Sequence, residues 1–272
     1  MLDRFDCYEL CVQSPRHLSA FLHALHPGAV TLHEDFCGTA ALSRRWIEDG
    51  ERAGESRRAL ATDLDAATLE KARVLAQSSG SADRIEFRLA DVLEKGDAGR
   101  APDAADLIFV GNFSIGYIHD RAALVSYLAG CADRLRRGNH GFGGGWFICD
   151  TYGGASAFKL GGFERRHPSR GREFIRYHWS HDAADPLTGI VENSISFRVE
   201  LDGEIIDELP RAFTYRWRLW SIAELREAMK DAGFVSTAVY KDVNLAPGQS
   251  PAPVADPAEL GDDWIVMVAA QA

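Results

Sequence analysis

At 272 residues and 46% hydrophobic content, the chain can bury a substantial core as one large domain or two small ones. A formal charge of −10 argues against nucleic-acid and anionic-membrane partners, which need a basic face, and no apolar run approaches the roughly 20 residues that span a bilayer. Cys7, Cys11, Cys37, Cys131 and Cys149 lack zinc-type spacing and follow no secretory leader, so they read as reduced thiols of a soluble, cytoplasmic protein without a metal site.

Ser14 and Pro15 open a helix as N-cap and first helical residue, and it should end near Pro27 and Gly28. From there strands and helices alternate. Residues 30–33 read as a strand, 40–47 as a helix and 59–62 as a second strand. Asp65 caps a helix over 66–76, and residues 85–90 form a third strand that ends on Asp91. After a loop at 96–104, residues 106–110 are an unbroken apolar strand, as in a sheet covered on both faces. A helix over 120–137 and a strand over 146–149 complete the alternation. The pattern predicts a Rossmann-like, doubly wound, mostly parallel sheet.

The texture changes after Asp150. Residues 174–180, 195–201 and 213–219 alternate apolar and polar side chains, and Asp202-Gly203 is a hairpin signal. This is an antiparallel β insertion after the fifth strand. Ser221 and Glu224 then form a capping box that opens a helix to Ala232, ended by Gly233. Strands at 235–240 and 264–269 close the sheet at seven, with a long loop at 245–257 between them. The expected organisation is an N-terminal helical lid (1–29), a core (30–152 and 221–272) and an inserted substrate-recognition segment (153–220).

The chemistry concentrates where strands end. Glu34-Asp35-Phe36-Cys37-Gly38-Thr39-Ala40 is an acidic tight turn between a strand and a helix, and the second strand ends on Asp63. Such a turn brings backbone N–H groups and a helix N-terminus to a ligand, and the carboxylate can accept from two ribose hydroxyls. A dinucleotide dehydrogenase would carry Gly-x-Gly-x-x-Gly here, and two of those three glycines are missing.

These residues resemble the class I S-adenosylmethionine-dependent methyltransferases, over about 30–150 and again over 221–272. The loop matches the family's acidic-x-Gly-Cys-Gly-Thr-Gly pattern, with Phe36 and Ala40 standing where glycines are usual. A bacterial subgroup has a similar Glu-Asp-Phe-Cys-Gly-Thr loop and a similar Asp-Thr-Tyr-Gly-Gly, here 150–154. The resemblance implies S-adenosyl-L-methionine as cofactor. Glu34, rather than Asp35, would lie near its amino-acid or ribose end, and Gly38 and Ala40 would admit the methionyl part. Asp63 would hold the ribose, Leu64 would pack on the adenine, and Asp91 and the Val92 N–H would meet its edge. Asn112 and Phe113 would border the sulfonium, and Tyr8 and Gln13 of the N-terminal segment are candidate lid contacts.

A sulfonium methyl is already activated, so alignment and exclusion of water carry most of the chemistry; proximity alone supplies roughly 7–11 kcal/mol. Asn112, Tyr117 and His119 are the catalytic candidates, His119 as a base unless the His119-Asp120 pair only begins a helix. Their segment is loosely similar to the Gly-Asn-Ser-Phe-Ala-His-Leu loop of glycine N-methyltransferase, which suggests a small amine or amino-acid acceptor. Arg165, Arg166, Arg170, Arg172 and Arg176 cluster within twelve positions. An inward guanidinium would pair with a carboxylate or phosphate; otherwise the cluster is a solvated edge or a subunit contact. Arg176 and His178 share a strand face and are expected to point inward, leaving Tyr177 and Trp179 to the core. Tyr152 and Trp217 complete the substrate candidates, with Tyr215 and Trp217 readable as pocket wall or as core. A small-molecule N or O nucleophile is the expected acceptor. Protein or RNA methylation, a non-catalytic cofactor-binding role and aminopropyl transfer are the alternatives, and a homodimer is compatible with all of them.

Overall fold

The computed structural model describes residues 2–94, 104–138, 143–169, 171–246 and 248–272. The expected loop at 96–104 and the expected role of Arg170 therefore lie, almost wholly and wholly, outside the described residues.

The sheet is built around β1 (Thr31–Asp35), which is buried at every position. It pairs in parallel with β2 (Arg58–Asp63) on one side and with β4 (Leu107–Val110) on the other. β3 (Ile85–Leu89) lies outside β2, and β5 (Trp146–Gly154) outside β4. β10 (Ser236–Tyr240) and β11 (Asp263–Gln271) complete the order β10-β11-β5-β4-β1-β2-β3, with β11 antiparallel to both of its neighbours. The expected seven-stranded, mostly parallel, doubly wound sheet is present. The chain reverses direction across the sheet between β1 and β4, where open α/β sheets bind ligands at the carboxyl ends of their strands.

Each face has its own core. On one, α2 (Pro15–Leu25), α3 (Ala41–Ala53) and α4 (Ala66–Ser79) bury Phe21, Trp46 and Leu69 against β1 and β4. On the other, α5 (Arg121–Arg134) and α6 (Ile222–Asp231) bury Leu124, Leu128, Leu225 and Met229. A fully buried aliphatic or aromatic side chain contributes roughly 1.5–3 kcal/mol, so these layers dominate the stability of the core.

β5 runs five residues past its expected end because β11 pairs with it as far as Gly154. The Gly153-Gly154 pair permits this. A Cβ on Gly153 would meet the Trp264 ring at 2.3 Å, and Gly154 holds a φ of 113° with the Asp262 carbonyl 2.1 Å from where its Cβ would lie.

The segment after β5 is a four-stranded antiparallel meander: β6 (Gly161–Pro168), β7 (Glu173–Asp185), β8 (Ile190–Leu201) and β9 (Glu204–Arg218). Asp202 and Gly203 turn it with φ of 54° and 93°, the left-handed pair that a two-residue hairpin demands. β6 was not expected as a strand. Its polar side chains are almost all exposed and give no apolar alternation to detect. α1 (Arg4–Cys11), opened by an Asp3 capping box, packs Cys7 with Ile175, Phe197 and Trp217 in a third core beneath the meander. No helix among the described residues is long and apolar enough to cross a membrane.

Candidate functional site

The turn after β1 holds three left-handed residues at alternate positions: Phe36, Gly38 and Ala40, with φ of 54°, 55° and 54°. Only Gly38 adopts this without steric cost; a non-glycine residue there costs roughly 1–2 kcal/mol. Backbone bonds hold the path, with the Cys37 N–H donating to the Thr62 carbonyl at 3.0 Å and the Ala40 N–H to the Cys37 carbonyl at 2.8 Å. The Gly38 N–H donates to Asp63 Oδ2 at 2.8 Å.

The adjacent acids diverge. Glu34 is buried toward α3 and accepts from the Ser43 N–H at 2.9 Å and the Ser43 hydroxyl at 2.5 Å. Burial pushes its carboxyl up to about 7, against the pull of both Ser43 bonds. Asp35 accepts from the Tyr127 hydroxyl at 2.7 Å and pairs with Arg134 of α5, so it serves the opposite face of the sheet. Burial works to raise its carboxyl, but the Arg134 charge and these bonds outweigh that and hold it below the usual range.

Asp63 also accepts from the Asp65 N–H at 3.0 Å, and Asp65 caps α4 through Ala67 and Thr68. A carboxylate has about four lone-pair sites, so Asp63 keeps acceptor capacity toward the groove. Beside it Leu64 is 68% exposed, and Leu89, opposite Asp63 in register, is 55% exposed. Asp91 accepts from the Leu93 N–H at 2.9 Å and, like Val92, is half-buried. The groove along the ends of β1, β2 and β3 is thus an apolar ledge bounded by two carboxylates.

A second strained turn faces it. Asn112 and Phe113 have φ of 55° and 61°, and the Ser114 N–H closes the turn on the Gly111 carbonyl at 3.1 Å. This is a type I′ turn made without glycine at its central positions. The Phe113 N–H donates to Asp150 Oδ1 at 2.7 Å. Asp150 is buried midway along β5, and burial pushes its carboxyl up to about 7 against its backbone hydrogen bonds. Strain of this kind gathers at ligand-binding sites.

Tyr117 follows in a short 3₁₀ turn, its ring stacked 6.2 Å from Phe36 and edge-on 6.0 Å from Trp217, between the groove and the meander. His119 is not on the cavity side. Its Nε2 lies 2.9 Å from the Arg216 carbonyl on β9, and Asp120 caps α5 through the Ala123 N–H at 2.8 Å. The expected base is therefore a strand contact followed by a helix start.

Between α1, the Asn112-Phe113 turn and the concave face of the meander lies a cavity of about 630 Å³. Tyr8, Phe113, Tyr152, Trp179, Tyr215 and Trp217 wall it, and Asp150 opens onto it. Phe113 lies 4.8 Å from Tyr152 and 5.8 Å from Trp217, and Tyr215 stacks 4.3 Å from Trp217. The Tyr152 hydroxyl accepts from Asn193 Nδ2 at 3.4 Å, and burial pushes it up to about 12. α1 roofs the site. Glu9 bonds Thr39 and Arg44 at 2.5 Å each, and Lys71 pairs with Asp3 at 2.7 Å. Burial pushes the Tyr8 hydroxyl up, offset in part by the neighbouring Tyr215. Gln13 sits in the α1–α2 link, its Oε1 buried without a partner among the described residues.

The expected orientation of β7 is inverted. Tyr177 and Trp179 line the cavity, while Arg176 and His178 border a separate groove on the outer face. Arg176 pairs there with Glu200 and, at 3.0 Å, with Glu164; His178 is exposed. The concave side packs on α1 and takes the rings, so the charged alternate positions face solvent. Arg165, opposite Tyr177 in register, is the arginine of the cluster that reaches the cavity among the described residues. Sequence reasoning passed over Asp150 and, within the arginine cluster, favoured Arg176 over Arg165. The signal for Arg165 was its parity with Tyr177 across the hairpin, which is unreadable until β6 is known to be a strand. The structure brings Tyr8, Asn112, Phe113, Tyr152 and Trp217 to one cavity and sets Gly38, Asp63, Leu64, Asp91 and Val92 along the adjoining groove. Among the described residues no cluster of side chains could hold a metal ion.

No family model and no curated protein matches the sequence. Solved structures do match in fold. An S-adenosylmethionine-dependent methyltransferase from Clostridium acetobutylicum aligns with a TM-score of 0.65 at 17% identity, covering 97% of this chain and 95% of that one. DesVI of Streptomyces venezuelae aligns at 0.68 and 13%, covering 100% and 99%. CalS10, an amino pentose methyltransferase of Micromonospora echinaspora with its S-adenosylmethionine bound, aligns at 0.63 and 13%, covering 100% and 98%. At these identities the likeness is one of fold, and the fold is the Rossmann-like one of these methyltransferases.

Proposed function

We propose that this chain transfers the methyl group of S-adenosyl-L-methionine to a nitrogen or oxygen nucleophile on a small molecule. One observation carries the reading: the turn after β1 keeps left-handed backbone at all three positions where the methyltransferase pattern has glycine, although two are Phe36 and Ala40, and Asp63 is bonded to its centre. A strained path held that tightly fits a backbone shaped for a ligand.

The residues present suit that cofactor. Gly38 and Ala40 would pass the methionyl part along the backbone, and Asp63 would accept from the ribose hydroxyls. Leu64 and Val92 would flank the adenine, with Asp91 at its edge. The bound cofactor supplies an electrophilic methyl group. The chain's own residues do the rest: α1 and the cavity rings exclude water, and the Asn112-Phe113 turn sets the border between groove and cavity, so catalysis rests on proximity. The roof of α1 over the meander suits a small acceptor better than a macromolecule, as does the likeness to an amino pentose methyltransferase.

Titration calorimetry with S-adenosylmethionine, S-adenosylhomocysteine and NAD tests the cofactor. Transfer of labelled methyl into a panel of small amines and alcohols tests the reaction. Binding of NAD alone, or of neither sulfur compound, would refute it.

A further inference from the structure

The geometry points to an acceptor that is an amine, bound as its ammonium ion in an aromatic cage against the Asp150 carboxylate, with an anionic substituent of the same molecule at Arg165. The inference rests on the methyltransferase reading above and deepens it.

Asp150 is 7% exposed, opens onto the cavity and meets no basic side chain among the described residues. A carboxylate taken out of water without a counter-charge is costly, and its backbone bonds to the 112–113 turn do not supply one. The walls present what a cation binds. Tyr8, Phe113, Tyr152, Trp179, Tyr215 and Trp217 line the same space, and ring faces attract a desolvated ammonium. Asp263, the other carboxylate at the rim, is occupied by the Ser156 N–H and hydroxyl at 2.8 and 2.7 Å.

The second anchor is equally selective. Arg166 and Arg176 pair with Glu200, and Arg172 with Asp202. Arg165 meets no carboxylate among the described residues; its guanidinium lies 4.8 Å over the Phe163 ring on the cavity side. One cavity therefore carries an unpaired carboxylate among rings and an unpaired guanidinium at its edge. An amine bearing a carboxylate or phosphate satisfies both.

The step balances. One N–H proton of the bound ammonium passes to the Asp150 carboxylate, and the freed lone pair forms the N–CH₃ bond. The S–CH₃ bond breaks with its electron pair left on sulfur, and Asp150 returns its proton to solvent as the product leaves. Ring faces hold charge rather than N–H groups, so the cage keeps its grip as methyl groups replace protons, and quaternary ammonium compounds are suitable probes.

With S-adenosylhomocysteine saturating, calorimetry compares glycine betaine with 3,3-dimethylbutanoate, its uncharged-head isostere. Glycine betaine should bind about 30-fold tighter, about 2 kcal/mol. Asp150→Asn, whose amide oxygen can still accept the Phe113 N–H, should shrink that ratio to about 3-fold or less. Arg165→Ala, at an exposed position, should weaken glycine betaine or phosphocholine about 10-fold while choline binds as before; which of the two loses more identifies carboxylate or phosphate. Equal binding of the isostere, no binding of any ammonium probe, or an unchanged ratio in Asp150→Asn overturns the proposal. The wild-type comparison stands even where Asp150→Asn fails to fold. Loss of S-adenosylhomocysteine binding in the wild type would instead sink the methyltransferase reading itself.

Discussion

The Asp63 carboxylate accepts the Gly38 amide at 2.8 Å, so the end of β2 is bonded to the turn that follows β1. One side chain thereby shapes the loop and offers its remaining lone pairs to the groove. Asp63→Ala should cost about 100-fold or more in S-adenosylhomocysteine affinity, because two hydroxyls and one amide lose a charged acceptor at roughly 1.5–3 kcal/mol each. Calorimetry measures this directly. An unchanged Kd in a folded variant would remove Asp63 from the cofactor site.

Ala40 and Phe36 share a left-handed φ of 54° but should respond oppositely to glycine. Ala40 is fully buried yet loses only a methyl group, so Ala40→Gly should relieve about 1 kcal/mol of strain and raise Tm by about 2–4 °C. Phe36 packs on the core of α5 and stacks near Tyr117, so Phe36→Gly should lose more burial than it gains. Thermal melts of the two variants decide it; a lower Tm for Ala40→Gly would mean that the turn is not strained there.

The doubly wound core was legible because its signals are local: caps at Asp65 and Ser221, the unbroken apolar run in β4, and turn glycines. The orientation of the meander was not. Alternation in β7 separates Arg176 and His178 from Tyr177 and Trp179, but which set faces inward depends on α1 covering one side. Asp150 was hidden for a related reason. It reads as an ordinary strand end, and its importance comes from lying beside a turn 37 residues earlier.

Arg176 serves as a control for the arginine cluster. It pairs with Glu164 and Glu200 on the outer face of the meander, away from the cavity. Arg176→Ala should leave the KM of the amine acceptor unchanged and change stability little, since Glu200 keeps Arg166. Steady-state kinetics beside Arg165→Ala makes the comparison, and a KM rise confined to Arg176→Ala would reverse the assignment of faces.

Glu34 predicts a pH dependence. Its carboxyl is raised from 4.5 to about 7, so the folded chain keeps a proton that the unfolded chain releases. That contribution is fully present below about pH 4.5 and is lost as pH rises through about 7, with a maximum slope of about 1.4 kcal/mol per unit. His33, lowered to about 4 mainly by burial, works in the opposite sense between about 4 and 6.5, so the comparison must be a difference. Glu34→Gln keeps an acceptor for Ser43 and removes the titration. The stability difference, wild type minus variant, should fall from pH 5 to pH 8 in urea melts; a flat difference would mean that Glu34 is ionised in the fold.

Asp35 and Arg134 form a pair whose breakage should be more damaging than its removal. Their side chains are 0% and 9% exposed, and Tyr127 donates to the same carboxylate. Asp35→Ala leaves a guanidinium buried without its charge partner, which costs about 3–5 kcal/mol and should lower Tm by about 10 °C. Replacing both residues by apolar groups of similar size should recover most of that loss, because neither desolvation penalty remains. Because Asp35 faces α5 while Gly38 and Asp63 face the groove, cofactor affinity in the folded single variant should stay within about 3-fold of wild type. A double variant no more stable than Asp35→Ala would show that the pair contributes through its contacts and not through compensation of two buried charges.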